Sequence, residues 1–284
     1  MVDLFLIRIP SLRAGFFVRV YNLSMILKNM TQIKKHSPLK KGPLRNPGQS
    51  LDEKMQDVLY DDVYFYIIIS AFLVLIAMTE WGRQIFDTPP YPLLWTFIAV
   101  ISVGVSIMKG MEALRKIKNI RLGRDGEKIV GQSLEKLRAK GYLVFHDIDT
   151  GRGNTDHVLV GPDGVFTIET KTRSKDGDQR ISYDGRFIIE GRGISTEKPL
   201  IQAKGEAAWF QSFINDQTGL SVRVRPVIIY PGWFVSPQPK DAAVWVLNEN
   251  AFPSFLDSTE RIFDQETISS IGRCIEEYIL EDKK

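Results

Sequence analysis

The chain has 284 residues, a formal net charge of +3, 44% hydrophobic and 25% charged residues. That composition excludes a disordered or low-complexity chain and leaves room for one or two folded domains. So small a net charge does not by itself argue for nucleic acid, where distribution matters more than sum. The single cysteine, Cys274, excludes an internal disulfide and a cysteine metal site, and His36, His146 and His157 are too scattered to suggest zinc.

Residues 1 to 27 mix apolar side chains with Arg8, Arg13 and Arg19, which interrupt the apolar core a signal peptide needs. Of two readings of this stretch, a poorly ordered leader upstream of a true start at Met25 or Met30 is preferred to a basic amphipathic segment resting on a membrane surface. Residues 28 to 50 are rich in Lys, Pro, Gly and Asn and read as a disordered basic linker.

Two stretches without charge follow, VYFYIIISAFLVLIAMT from Val63 and YPLLWTFIAVISVGVSIM from Tyr91. Each approaches the length needed to cross a hydrocarbon core of about 30 Å. Tyr64, Tyr66, Trp81, Tyr91 and Trp95 sit where interfacial aromatics belong. Neither run has the polar stripe of a core helix, so a transmembrane helical hairpin is expected. Lys34, Lys35, Lys40, Lys41, Arg45 and Lys54 precede it, Lys109, Arg115, Lys116, Lys118, Arg121 and Arg124 follow it, and the connecting loop holds only Arg83. Both ends are therefore expected in the cytoplasm. Gly104 and Ser106 are small enough to let helices approach, as small residues in spans routinely do; oligomeric state stays open.

From about residue 124 an α/β domain is expected. Val130, Leu134 and Leu137 mark one face of a helix over 125–140, and YLVFHD reads as a strand. NTDHVLVGPDGVFTIETK reads as a hairpin, and QRISYDGRFIIEG as a second one turning at Asp184-Gly185. A helix follows from Pro199 to Asn215, then strands in VRPVIIYP and AVWVLN, then a last helix over 265–281 with Ile268, Ile271, Ile275 and Ile279 on one face.

The first hairpin carries the chemistry. A turn at Pro162 and Asp163 sets Asp156 opposite Glu169 and puts both on one face with Val158, Val160, Val165, Thr167 and Lys171. His157, Leu159, Phe166 and Ile168 take the other face, where His157 reads as a satisfied core histidine. Both faces are apolar, so the pair belongs in the middle of a sheet. Two carboxylates side by side on a covered face repel. Lys171 compensates one of them, and a divalent cation, Mg²⁺ or Mn²⁺ for an oxygen-only donor set, compensates the rest. Glu127 shares the inward face of Val130 and Leu134, near an expected helix N-terminus. Gln202 shares a stripe with Trp209 and Phe213 and is expected to face the core and orient a water or a phosphate. An E-x-K triplet alone is more often a solvated, salt-bridged face, and Asp156 alone could cap the loop TGRGNT; the combination ranks a metal site ahead of both. Glu190 and Glu206 are expected on the surface.

In order, GRDGEKIVGQSLEKL, NTDHVLVGPDGVFTIETK and KPLIQA resemble the NERD or nuclease-related domain, a branch of the PD-(D/E)XK nuclease superfamily, over roughly residues 123 to 235. The matching elements are Gly126-Glu127, Asp156-His157, Glu169-Thr170-Lys171 and Pro199 to Ala203. The resemblance implies a restriction-endonuclease-like α-β-β-β-α-β core with a mixed sheet, preceded here by two transmembrane α-helices. It also implies Mg²⁺-dependent cleavage of phosphodiester bonds. Carried over residue by residue, Asp156 and Glu169 ligate the metal with the Thr170 carbonyl, and Lys171 polarises the attacking water. Glu127 holds a metal-bound water or a second ion, Gln202 positions the site, and Arg152, Arg173, Lys175 and Arg180 are candidates to hold phosphates.

The expected layout is a basic, largely disordered leader (1–60), a transmembrane hairpin (61–110), a basic juxtamembrane linker (111–123), the nuclease-like domain (124–250) and a C-terminal helical extension (251–284). The expected protein is a metal-dependent nuclease anchored in a lipid bilayer, read as a bacterial inner membrane, with both termini and the domain cytoplasmic and DNA ahead of RNA as partner. The alternative is a non-catalytic nucleic-acid-binding or membrane interaction module on the same fold.

Overall fold

The computed structural model describes residues 44–83, 91–174, 179–191 and 193–281. Residues 1–43 of the expected leader, the Pro89-Pro90 part of the connecting loop and Lys175 lie outside the described residues.

Residues 49–59, assigned above to the leader, form helix α1 (Gln49–Leu59), which passes through a π-helical turn (Tyr60–Tyr64) into α2 (Phe65–Arg83). Helix α3 (Pro92–Glu135) runs for 44 residues. Pro92 occupies its first turn, where the missing N–H costs nothing, and no later proline interrupts it. The second apolar stretch, the basic segment 111–123 and the helix expected from residue 125 are therefore one rod. Helix α3 gives way to a 3₁₀ turn (Lys136–Lys140), closed by Gly141 at φ 90°.

Both α2 and α3 lie within helical segments long and apolar enough to cross a membrane, and Phe72, Leu75, Met78, Leu93, Phe97 and Ile107 point outward. Polar groups of the two helices find each other. Ser70 Oγ lies 2.9 Å from Ser102 Oγ and 2.5 Å from Ser106 Oγ, and Trp81 Nε1 donates to Thr96 Oγ1 at 2.9 Å. Ser106 thus serves the contact between the two helices, whereas Gly104 is exposed, with nothing near its missing Cβ. Lys116 Nζ, past the second span, reaches Asp62 Oδ2, before the first, at 2.8 Å. The two ends of the hairpin are thereby on one side.

Strands β1 (Leu143–Asp149), β2 (Asn154–Gly161) and β3 (Gly164–Thr170) form an antiparallel meander. A second sheet, of order β6-β5-β4-β8, contains β4 (Arg180–Tyr183), β5 (Ile188–Glu190), β6 (Ile194–Thr196) and β8 (Phe234–Val235). Its first hairpin turns at Asp184-Gly185 as expected, with Gly185 at φ 101°. Helix α4 (Lys198–Thr218) leads to β7 (Val224–Ile229), which pairs parallel with β3, and β9 (Trp245–Leu247) adds parallel to β7. Helices α5 (Phe252–Asp257) and α6 (Gln265–Glu281) complete the chain. The core order α3-β1-β2-β3-α4-β7 is the expected one, in a five-stranded mixed sheet with β3 at its centre.

Strand alternation sorts the core into two layers. Leu159, Phe166 and Ile168 pack under Val130 and Leu134 of α3 and Phe252 of α5. Val158, Val160 and Val165 pack under Phe210 and Ile214 of α4 and Ile271 and Ile275 of α6. The alternation slips once. Val144 faces the first layer, and both Phe145 and Ile148 face the second. Between them Asp147 adopts φ 51°, a left-handed value uncommon for a residue with a side chain.

Candidate active site

The β2–β3 hairpin turns at Pro162-Asp163, and its ladder runs from Gly161 opposite Gly164 to His157 opposite Ile168. One step further, at the open end, the half-buried Asp156 uses its side chain in place of the ladder: Oδ2 accepts the Thr170 amide at 2.7 Å. Glu169 is 3% exposed. Its Oε1 accepts a short hydrogen bond from Lys171 Nζ, and its Oε2 is buried without a donor. Lys171 Nζ also donates to Gln202 Oε1 at 2.9 Å, and Gln202 Nε2 donates to Glu206 Oε1 at 2.9 Å. A hydrogen bond between Glu206 and Glu169 closes a ring of four side chains drawn from β3, the residue after it and α4.

The ring is short of positive charge, and its acids respond by holding protons. Burial pushes the Glu206 carboxyl up to about 9, with the neighbouring Glu169 charge adding to it. Burial likewise lifts Asp156 well above the usual carboxylate range, followed by repulsion from Glu169 and Glu127. Glu127 rises to about 8, through burial first and then the charges of Asp147 and Glu169. A protonated Glu206 is a donor to Glu169, which accounts for two oxygens, Glu206 Oε2 and Glu169 Oε2, that otherwise find none.

Glycine explains how Glu127 reaches the group. A Cβ at Gly126 would collide with Thr172 Oγ1, so only glycine lets α3 close on the chain just beyond β3. Glu127 is buried there as expected, but in mid-helix, because α3 starts at Pro92 and not near residue 125. No helix N-terminus offsets its charge, and its raised pKa follows.

Several expectations are corrected. Gln202 is exposed at the edge of α4, and its stripe partners Trp209 and Phe213 are half-buried; the pull of Lys171 keeps it over the sheet end. Glu206 and Glu190 are not surface acids. Glu190 is buried, accepting from Arg173 Nε at 2.8 Å and Tyr230 Oη at 2.7 Å. Arg173 is thereby committed to an ion pair, and Arg180 stacks 5.5 Å from the Phe234 ring; among the described candidates, Arg152, beside Asn154, Gln202, Glu206 and Trp209 in one cleft, keeps the disposition expected of a phosphate-binding base. His146 and His157, distant in sequence, are cross-strand neighbours with Nδ1 atoms 2.9 Å apart. His157 is wholly buried and satisfied there, its second nitrogen 3.4 Å from Thr170 Oγ1.

Sequence reasoning missed Glu206 and Asp147. The signal for Glu206 was its place one turn after Gln202 on the same helix face. Asp147 is 1% exposed and accepts from Asn154 Nδ2 at 2.9 Å and Ser50 N–H at 2.8 Å. Its signal was a second acid inside an apolar strand.

The oxygen-only donor set suits a hard dication, whose charge would stand in for the proton that Glu206 and Glu169 share. Among the described residues, however, no three His, Cys, Asp or Glu side chains stand ready to hold an ion as they are. Lys171 takes that place at Glu169.

Among known proteins, an uncharacterized protein of Bacillus anthracis is 43% identical over 54 residues, 17% of this chain and 26% of that one. The chain thus spans about a quarter of the length of that curated relative. No solved structure matches. The family profile of the nuclease-related domain matches residues 122–231, which hold Glu127, Asp156, Glu169, Lys171, Gln202 and Glu206. Behind two helices of membrane-span length, this chain carries a NERD, or nuclease-related, domain.

Proposed function

We propose that the chain is a membrane-tethered, metal-dependent nuclease that hydrolyses phosphodiester bonds, with DNA as substrate ahead of RNA. The observation that carries this reading is the ring of Glu169, Lys171, Gln202 and Glu206 beside Asp156, a charge-deficient, half-covered group of acids inside a nuclease-related domain. Structural acids in this molecule look different: Glu190 has a donor on each oxygen.

Asp156, Glu169, the Thr170 carbonyl and Glu127 are the groups to hold Mg²⁺ or Mn²⁺. Bound there, the ion supplies Lewis-acid polarisation of the phosphodiester and neutralises developing charge. The remaining chemistry belongs to the chain. The Lys171 ammonium, steadied by Gln202, offers hydrogen bonds to negative charge gathering on the phosphoryl oxygens. Glu206 keeps a proton at neutral pH, which removes one charge from a crowded site and leaves Glu169 an acceptor. Arg152 stands in the adjoining cleft to receive a flanking phosphate.

The hairpin supports the proposed placement. Its ends share one side, and Lys and Arg crowd both ends while the loop holds only Arg83. The positive-inside rule puts that side, and the domain with it, in the cytoplasm, of a bacterial inner membrane in this reading.

A second reading, a nucleic-acid-binding module that does not cut, is favoured by the Lys171–Glu169 ion pair, which ties up a ligand oxygen. One experiment separates the two. The full chain in detergent is incubated with single- and double-stranded DNA and RNA, with Mg²⁺ or Mn²⁺, beside Glu169→Ala. Metal-dependent cleavage lost in the variant supports the nuclease; metal-independent retention of nucleic acid without cleavage supports the second reading and overturns the first.

A further inference from the structure

The family match begins at residue 122, yet residues 45–52 reach the acids of the domain. Ser50 N–H donates to Asp147 Oδ2 at 2.8 Å, and Arg45 Nε stands 3.5 Å from the same oxygen. The Gly48 backbone amide faces Glu127 and favours its charged form. Pro47 lies so close on α3 that a Cβ at Gly131 would stand 2.6 Å from its Cγ. Asp52 anchors the far end, accepting from Arg124 Nη1 at 2.9 Å and Lys128 Nζ at 3.0 Å. These contacts converge on two buried acids that repel each other, one of them in a left-handed backbone conformation. Such a conformation persists only where the surroundings over-determine it.

We propose that residues 45–52 are a strap that completes the active site, holding Asp147 and Glu127 in place from outside the nuclease-related domain. The inference deepens the nuclease reading and rests on it. It makes Arg45 and Ser50 positioning residues, since they act through the acids and not on substrate, while Pro47 only fills the space over Gly131. It also ties the site to the membrane hairpin, because the strap runs on through α1 and the π-helical turn into α2 without a break. The domain excised from residue 120 onward lacks the strap, and its acids lose these donors.

The test uses the full chain in detergent. Gly131→Ala puts a methyl group where Pro47 sits, and Pro47→Gly in the same chain makes room again; Arg45→Gln removes the charge without crowding. Hydrogen exchange is followed at residues 125–131 and 145–149, and cleavage is resolved into kcat and KM. In Gly131→Ala and Arg45→Gln, exchange should quicken at both segments while kcat falls about tenfold at unchanged KM, as supporting partners of ligands do. The double variant Pro47→Gly/Gly131→Ala should recover both readings. Unchanged exchange in Gly131→Ala, or faster exchange with kcat intact, overturns the strap, as does failure of the double variant to recover. If the unmodified chain cleaves nothing, the nuclease reading fails on its own. The strap is then judged by exchange: lost protection in Gly131→Ala, recovered in the double variant, supports it, and unchanged protection sinks it.

Discussion

Two regions of the molecule bury polar side chains among apolar ones, and they do it in opposite ways. Between α2 and α3, Ser70, Ser102 and Ser106 form a neutral cluster, and Trp81 bonds to Thr96. At the open end of the β2–β3 hairpin, Glu127, Asp156, Glu169 and Glu206 crowd around one ammonium group and hold protons for want of further cations. The first cluster joins two long apolar helices, and its hydroxyls partner one another. The second keeps a cost that a purely structural site would have shed. The satisfied cluster reads as scaffolding, and the crowded acids are the proposed site.

The sharpest way to break that contrast is to remove a frustrated acid. Glu169→Ala should lower metal-dependent cleavage by at least about a hundredfold, measured on labelled DNA with the melting temperature as a check on folding. Cleavage that survives the change would move the chemistry elsewhere.

Acidity offers the next test. Glu127 and Glu206 titrate near 8 and 9 in the fold against an ordinary 4.5. The folded chain therefore binds more protons than the unfolded one between those values. Their contribution to stability is full below about pH 4.5 and is lost as pH rises through 8 to 9. Melting in EDTA should fall steadily from about pH 6 to pH 9, and Mg²⁺ or Mn²⁺ should reverse the fall at the alkaline end while releasing protons. A melting temperature flat with pH and blind to metal would make the acids ordinary. A finer cut is Glu206→Gln, which removes the titrating group and keeps the shape; it should melt roughly 2–4 °C above the unmodified chain at pH 9 in EDTA and no higher at pH 5. The smallest effect belongs to the satisfied cluster. Ser70→Ala should cost under about 1 kcal/mol in detergent unfolding and leave cleavage untouched; a change in cleavage would show the hairpin cluster to be more than scaffolding.

Local pattern made much of this legible. The Pro162-Asp163 turn fixes the hairpin register, register fixes the faces, and the core layers follow from them. Asp156, Glu169 and Lys171 could be paired on paper because a strand's period is short and rigid. Glu206 was harder, since nothing in the helix pattern tells a half-buried edge position from an exposed one. The start of α3 was not legible because the basic residues between the apolar span and the soluble helix read as a linker, although no proline there stops the helix. The strap was beyond sequence reasoning altogether: Ser50 and Asp147 are 97 residues apart, and Arg45 to Ser50 close a stretch, 28–50, whose Lys, Pro, Gly and Asn match a disordered linker.

The unbroken course of α3 has one more consequence. Nineteen residues separate Met108, at the end of the apolar stretch, from Glu127, which at 1.5 Å each is a stiff ruler of roughly 28 Å. In the proposed arrangement that ruler sets the stand-off height of the cutting site above the lipid surface, and its helical phase sets the direction in which the site looks. One residue inserted into 109–121 would turn Glu127 by about 100° against the span, so this stretch cannot stretch or shrink as a tether could.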